Sequence, residues 1–386
     1  MRQAAPVLLV NPGRRHPVVG GGVGGGVGGG VGAGPRAGRG DRSPAALHRR
    51  FPGYAPTRIV DAPGLAVELG LASLAVKDES ERLGLPSFKI LGASWAVYRL
   101  LVGRLGREPE WRDFDELRSE LAPLGALTLV AATDGNHGRA VAHMARLLGY
   151  PSHIFVPAGT AAARIDAIES EGAPVTVVDG TYDDAVRASA ALAADDVLVV
   201  SDTSWEGYTE VPRTVIEGYA TIFAEVDEQL AAAPPDVVVV PMGVGALAAA
   251  VVQHYATHAT VIVVEPLSAA CGLHSAEAGF PVEVPGPHES IMAGLNCGMV
   301  SIIAWPVVSA GVDVFVAVDD AAAEQAMRDL AQIGVVAGET GAAALAGLRA
   351  AVSAGLADVR GRNVLVLCTE GATDPVAYER IVGRRP

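Results

Sequence analysis

Only two of the 29 Lys and Arg side chains in this 386-residue chain are lysines, Lys77 and Lys89, so arginine carries nearly all the positive charge. Arginine stays protonated at any working pH and cannot form an imine, whereas a desolvated lysine amine can lose its proton and condense with an aldehyde. Lys89, in "LPSFKILGASWA" at 85–96, is therefore a candidate covalent residue. The competing reading is a surface lysine early in a helix.

Three further stretches put polar groups where a strand gives way to a helix. In "AATDGNHGRAVA", Gly135 and Gly138 allow a tight turn that holds Asp134, Asn136 and His137 at the mouth of a helix. Asn136 can hydrogen-bond a ligand oxygen there, or the stretch is an Asp-Gly turn with helix-capping side chains. In "VVVVPMGVGALAAAV", the backbone amides of Gly243, Val244, Gly245, Ala246 and Leu247 can cradle a phosphate. The same turn loosely fits a dinucleotide fingerprint, with Ala248 for the third glycine and Glu265 about 20 residues on as the ribose-binding acid. In "VLVLCTEGATDP" a strand ends in Thr369 and Glu370, and a hydroxyl there can bond a heterocyclic nitrogen. Helix capping by Thr373 or Asp374 accounts for much of that stretch equally well. Asp183 and Asp184 in "TYDDAV" suit the acidic first turn of a helix. His137 is expected to order its turn, and Trp205 and Tyr208 to wall a pocket or fill the core.

Short β-branched runs alternating with alanine-rich amphipathic stretches must position these groups, a pattern of crossover units building parallel sheets. Nine strands are expected, at 74–77, 127–133, 153–157, 174–178, 197–200, 236–241, 260–266, 314–318 and 363–371. Helices are expected over 161–172 and, unbroken up to a Pro-Pro stop, over 210–233. Nine strands exceed one comfortable open sheet, so the expected fold is α/β with two parallel-sheet domains and a ligand cleft between them, beyond the carboxyl ends of strands. The tract "GGGVGGGVGGGVGAG" at 20–34 has too little apolar surface to offset its ordering entropy and reads as flexible, with the folded body starting near Leu47.

Half of the chain is hydrophobic, enough for a sizeable core, and a formal net charge of −14 argues against a nucleic-acid partner. Apolar runs are strand-length, far from the roughly 20 residues of a membrane span, and "APVLLV" is too short for a secretory leader. The three cysteines, Cys271, Cys297 and Cys368, have neither disulfide-framework nor metal-ligand spacing, so no metal is expected and the chain reads as cytoplasmic.

Taken together, "SFKILGAS", "DGNHG", the glycine turn and the late Thr-bearing strand resemble the fold-type II family of pyridoxal-phosphate enzymes, which includes serine and threonine dehydratases. Further stretches, among them "FPGYAPT", "VKDESERLG", "SDTSWEGYTEVP", "SIMAGLNCG", "AGETGAA" and "CTEGATDPVAY", narrow the resemblance to the diaminopropionate ammonia-lyases, from about residue 47 to the end. The resemblance implies pyridoxal 5'-phosphate as cofactor, Lys89 as its Schiff-base lysine, Asn136 on its phenolic oxygen, Gly243–Leu247 on its phosphate and Thr369 on its pyridine nitrogen. It also implies α,β-elimination of D- or L-2,3-diaminopropionate to pyruvate and two ammonia through an aminoacrylate. Asp134, where dehydratases carry a small neutral residue, and Asp202, after the strand "VLVV", become catalytic carboxylates beside Lys89; Glu339 is expected nearby.

The implied organisation is an N-terminal segment 1–46, a large cofactor-binding domain of 47–92 and 206–386, a small domain of 93–205, and a homodimer with a small amino-acid substrate. Pro86 and Ser87 stand where the family has Asn-Ala, Ala246 replaces a phosphate-loop serine, Asn296 replaces an alanine, and the glycine tract is an insertion. Alternatives are a serine/threonine dehydratase or β-replacement enzyme on the same fold, a nicotinamide-dependent oxidoreductase using the glycine turn, and a non-catalytic ligand-binding protein.

Overall fold

The computed structural model describes residues 4–14, 42–133, 135–356 and 359–386. The glycine tract and Asp134 lie outside them. Two sheets organise the described chain. β1 (Val7–Val10), β2 (Ile59–Asp61), β3 (Ser73–Asp78), β8 (Val237–Pro241), β9 (Thr260–Pro266), β10 (Val314–Val318) and β11 (Asn363–Cys368) form a sheet in the order β1-β10-β9-β8-β11-β3-β2. β4 (Thr128–Ala132), β5 (Ser152–Pro157), β6 (Val175–Val178) and β7 (Val197–Val199) form a smaller one in the order β6-β5-β4-β7.

All pairings in the smaller sheet are parallel, as are the central ones of the larger. Helices cover such sheets on both faces, which is why β8 and β10 are continuous valine-rich runs buried along their whole length. The fold is the expected two-sheet α/β architecture, and each of the nine expected strands is present. β11 stops at Cys368 because Glu370 leaves the ladder to form a bridge with Ser87.

Two short antiparallel edge strands were not expected. β2 pairs with β3, and β1 pairs with β10. The folded body therefore starts well before Leu47. Asn11 and Arg14 fix β1 in place: the Asn11 amide donates to Ser309 O and Val312 O, and Arg14 Nε pairs with Asp313 at 2.6 Å.

The single helix expected over 210–233 is two, Glu210–Gly218 and Ala220–Gln229, interrupted at Tyr219. The break has a packing cause. The helix Lys89–Leu105 is buried around most of its circumference and approaches Glu210–Gly218 so closely that a Cβ on Gly218 would lie 2.5 Å from Leu91 O and 2.8 Å from Gly92 Cα. On the other side, a Cβ on Gly92 would meet the Tyr219 ring at 2.6 Å, and that ring packs on Phe88 at 4.8 Å between centroids. The start of Lys89–Leu105 is thereby clamped against backbone that cannot yield.

Gly218→Ala should therefore lower the unfolding free energy by about 1–3 kcal/mol through overpacking. Gly103→Ala, in the same helix with open space at its Cβ, should raise it by up to about 1 kcal/mol through helix propensity. Urea unfolding of the two variants beside the parent checks both signs.

Candidate active site

The carboxyl ends of β4 and β7 in the smaller sheet face those of β8 and β11 in the larger. One cavity between them is lined by Lys89, Asn136, Asp202, Gly243–Leu247 and Thr369, so the described residues expected at the site converge. Asp134, the remaining one, lies outside the described residues.

Lys89 opens its helix because the segment before it is laid against the end of β11. Gly371 N donates to Pro86 O at 2.9 Å and Phe88 N to Thr369 O at 3.4 Å. Pro86 and Ser87, the departures from the family pattern, thus keep a backbone role. Lys89 Nζ donates to Asp202 Oδ2 at 2.6 Å, and the Tyr182 hydroxyl donates to Asp202 Oδ1 at 3.1 Å. Burial alone would raise the Asp202 carboxyl, but the Lys89 ammonium, His137 and the hydrogen bonds from Lys89 and Tyr182 hold it well below the usual carboxylate range. His137 Nε2 donates to Val200 O at 2.8 Å, which fixes the ring on the strand that delivers Asp202. Burial lowers the His137 pKa, leaving its Nδ1 without a hydrogen-bond partner 3.9 Å from Asp202 Oδ2.

The turn after β8 reaches the helix Ala246–Tyr255 through Gly245 at φ +95°, and no side chain caps that helix. Its first amides face the cavity as donors for an anion. Ala246 opens that helix with no side-chain hydroxyl beside those amides. Across the cavity, the Thr369 hydroxyl is buried with no hydrogen-bond partner. An unpartnered hydroxyl, an uncapped helix start and a lysine held by a carboxylate are the donor set that pyridoxal phosphate requires, and the residues fit that group.

They do not fit a dinucleotide. Glu265, the acid that reading needs, is fully buried and accepts from Gly272 N at 2.7 Å and Leu273 N at 2.9 Å, and burial pushes its carboxyl up to about 7. Each of its oxygens is turned to a backbone amide in the first turn of the helix Cys271–Ala278, and it does not line the cavity that Lys89 enters.

Other expected residues sort as follows. Asp183 and Asp184 form the acidic first turn of the helix Tyr182–Ala190, with Thr181 and Asp184 closing a capping box. Asp374 caps Pro375–Val382. Trp205 and Tyr208 stack at 4.2 Å, and the Tyr208 hydroxyl donates to Val199 O, so this pair braces the Asp202 loop from outside the cavity. Asn296 brackets its own loop through Ser290 N and Ser290 O. Glu339 lies in an adjoining part of the cleft with Arg164, and burial pushes its carboxyl up to about 7. Among the described residues no cluster of His, Cys, Asp or Glu could hold a metal ion.

Sequence reasoning missed the contacts of Tyr182 and Glu370. Tyr182 sits in a stretch whose acids drew attention, and nothing in spacing marks its hydroxyl. Glu370 accepts from Asn136 Nδ2 and, at 3.3 Å, from Thr340 N. The contacts of the second lysine were missed as well. Lys77 is fully buried and donates to Glu225 Oε2 and Gln229 Oε1 at 2.8 Å and Thr57 O at 2.9 Å, while Arg82 bonds Glu79 and Glu225 at 2.6 Å. This cluster pins the segment that leads to Lys89.

Compared with known proteins, residues 50–370 match the pyridoxal-phosphate dependent enzyme family. The chain is 35% identical over 357 residues to diaminopropionate ammonia-lyase of Escherichia coli (strain K12), covering 87% of this chain and 89% of that one. It is 30% identical over 349 residues to an L-threonine dehydratase of Mycobacterium leprae (strain TN), covering 88% and 73%. The crystal structure of the Escherichia coli diaminopropionate ammonia lyase in complex with D-serine superposes with a TM-score of 0.83 at 31% identity, covering 98% of this chain and 96% of that one.

Glu225→Gln should cost about 3–5 kcal/mol at neutral pH, because Lys77 and Arg82 keep charges that Glu79 alone cannot balance. Burial would raise the Glu225 carboxyl, but Arg82 and Lys77 lower it to about 2. A folded value below the unfolded one of about 4.3 means that the stabilisation is complete above about pH 4.3 and is lost as pH falls toward about 2. The gap between parent and variant should therefore narrow across that window in denaturant titrations.

Proposed function

Because the chain belongs to the pyridoxal-phosphate-dependent enzyme family, we propose that it is a carbon–nitrogen lyase that converts 2,3-diaminopropionate, D or L, to pyruvate and two ammonia. The observation that carries this reading is the 2.6 Å Lys89–Asp202 pair, set between an uncapped helix start and an unpartnered threonine hydroxyl. When bound, pyridoxal phosphate supplies the electron sink for charge developing at the substrate α-carbon.

The chain's residues supply the rest. Lys89 Nζ would hold the cofactor, the amides of Gly243–Leu247 would hold its phosphate, and Thr369 Oγ1 and Asn136 would serve its ring nitrogen and phenolic oxygen. Asp202 is ionised at neutral pH, so it can balance the second ammonium of a diamine, a charge that serine and threonine lack. Tyr182 and the His137–Val200 tie keep that carboxylate aimed at Lys89 Nζ. Proton exchange between Lys89 and Asp202 then needs no rearrangement. Asp134, adjacent in sequence to the Gly135–Asn136 turn, supplies a second carboxylate, so that the α-proton can be taken from either face and the β-nitrogen protonated to leave as neutral ammonia.

No described helix is long and apolar enough to cross a membrane. A cytoplasmic homodimer that takes a small amino acid, and neither nucleic acid nor membrane, completes the reading; its support is the family resemblance and a net charge of −14. The proposed organisation is a large domain of 47–92 and 206–386, to whose sheet β1 is added, and a small domain of 93–205.

Borohydride reduction with peptide mapping should label Lys89, and pyruvate should form from 2,3-diaminopropionate, with no pyruvate from serine and no 2-oxobutyrate from threonine. Asp134→Asn and Asp202→Asn should each lower kcat roughly 10²–10⁴-fold, unequally for the two enantiomers. If Asp202→Asn abolishes both enantiomers equally while Asp134→Asn affects neither, the two-carboxylate assignment is wrong. Pyruvate mainly from serine, or 2-oxobutyrate mainly from threonine, would overturn the substrate.

A further inference from the structure

Glu370 links the segment before Lys89, Thr369 and Asn136 without being one of the expected site residues. Its backbone pairs with Ser87, two residues before Lys89, and its chain neighbour is Thr369. Its carbonyl accepts from Gly338 N at 3.0 Å, and the helix Glu339–Ser353 presses so close that a Cβ on Gly341 would lie 2.2 Å from Glu370 O. The residue is 1% exposed. Its side chain then crosses from the larger sheet to the smaller and accepts from Asn136 Nδ2, with Thr340 N on the other oxygen.

Both Glu370 oxygens thus receive N–H donors, the arrangement a carboxylate takes. A carboxylate offers only acceptors, so it selects the NH₂ end of the Asn136 amide over the carbonyl end. That amide has two hydrogens. One is taken by Glu370, which leaves the other for an oxygen in the cavity that both residues line.

We propose that Glu370 is a positioning residue for Asn136: by accepting one amide hydrogen across the cleft, it orients the other toward the cofactor's phenolic oxygen. The proposal rests on reading the cavity as a pyridoxal-phosphate site. A glutamine in its place could present either end, so Asn136 would spend part of its time with a carbonyl facing an oxygen it should donate to. The tautomer of bound cofactor with a neutral phenolic oxygen then gains, and that tautomer absorbs in the near ultraviolet and not in the visible.

The test is spectroscopic and does not depend on turnover. Parent, Glu370→Gln, Asn136→Ala and the double variant are saturated with pyridoxal phosphate, and their absorbance and cofactor dissociation constants are measured. Glu370→Gln should shift absorbance from the visible to the near-ultraviolet band and weaken cofactor binding roughly tenfold, the loss of one charge-assisted constraint. In the Asn136→Ala background the same substitution should change little, because its target is gone. An unchanged Glu370→Gln spectrum, or an equal effect with and without Asn136, would overturn the proposal. Should Glu370→Gln not fold, Glu370→Asp decides: its shorter reach should give a partial shift, and a parental spectrum would overturn the assignment. A colourless parent would overturn the functional reading and this inference together, whereas a coloured parent with an insensitive Glu370 variant overturns this inference alone.

Discussion

The 2.6 Å bond between Lys89 Nζ and Asp202 Oδ2 joins a residue anchored on the larger sheet to one delivered by the smaller. Lys89 stands at the start of its helix because Pro86 and Phe88 are tied to the end of β11, and Asp202 follows β7, whose continuation at Val200 is gripped by His137. A buried carboxylate without a cation would be costly, and so would a lysine without a carboxylate. Each sheet therefore brings half of an interaction that neither could keep alone. The cleft is the place where the halves meet, and the chemistry there follows from the need to pair them.

The two lysines of this chain show how burial alone leaves function open. Lys77 is the more deeply buried, yet its three donors are met by Glu225, Gln229 and the Thr57 carbonyl, with Arg82 sharing the same glutamate. Nothing is left to react. Lys89 has a partner that is itself positioned by Tyr182 and that faces a cavity, so its amine is both held and accessible to a ligand. Desolvation penalises the charge on Lys77, and its fixed anions oppose that penalty, the pattern of a structural ion cluster.

Much of this was legible in the sequence. Long β-branched strands such as β9 and β10 fell at their expected residues because a strand buried on both faces leaves a continuous apolar run. β1 and β2 were not legible: they are short edge strands held by backbone bonds and by side chains such as Asn11 and Arg14, whose partners lie about 300 residues away. The break at Tyr219 was hidden for a similar reason, since the helix pattern there is uninterrupted and the cause is a neighbour, the backbone at Leu91 and Gly92. At the site, strand-end position and the family resemblance marked Lys89, Asn136 and Thr369 as candidates, and the structure lines one cavity with all three. Tyr182 and Glu370 bond Asp202 and Asn136 and belong to no ligand motif, so only their contacts could reveal them.

The glycine turn after β8 makes the same point about spacing. Gly243 and Gly245, with an acid at the end of the next strand, satisfy the one-dimensional pattern of a dinucleotide site as well as that of a phosphate cradle. Spacing cannot separate them because both need an uncapped helix start beyond a parallel strand. Hydrogen-bond satisfaction can. Glu265 is saturated by two amides of the helix Cys271–Ala278, so its carboxylate serves the fold, while the Thr369 hydroxyl has no protein partner and faces the cavity that Lys89 enters. A polar group already satisfied by its own chain carries little information about a ligand, and a buried one left unsatisfied carries a great deal.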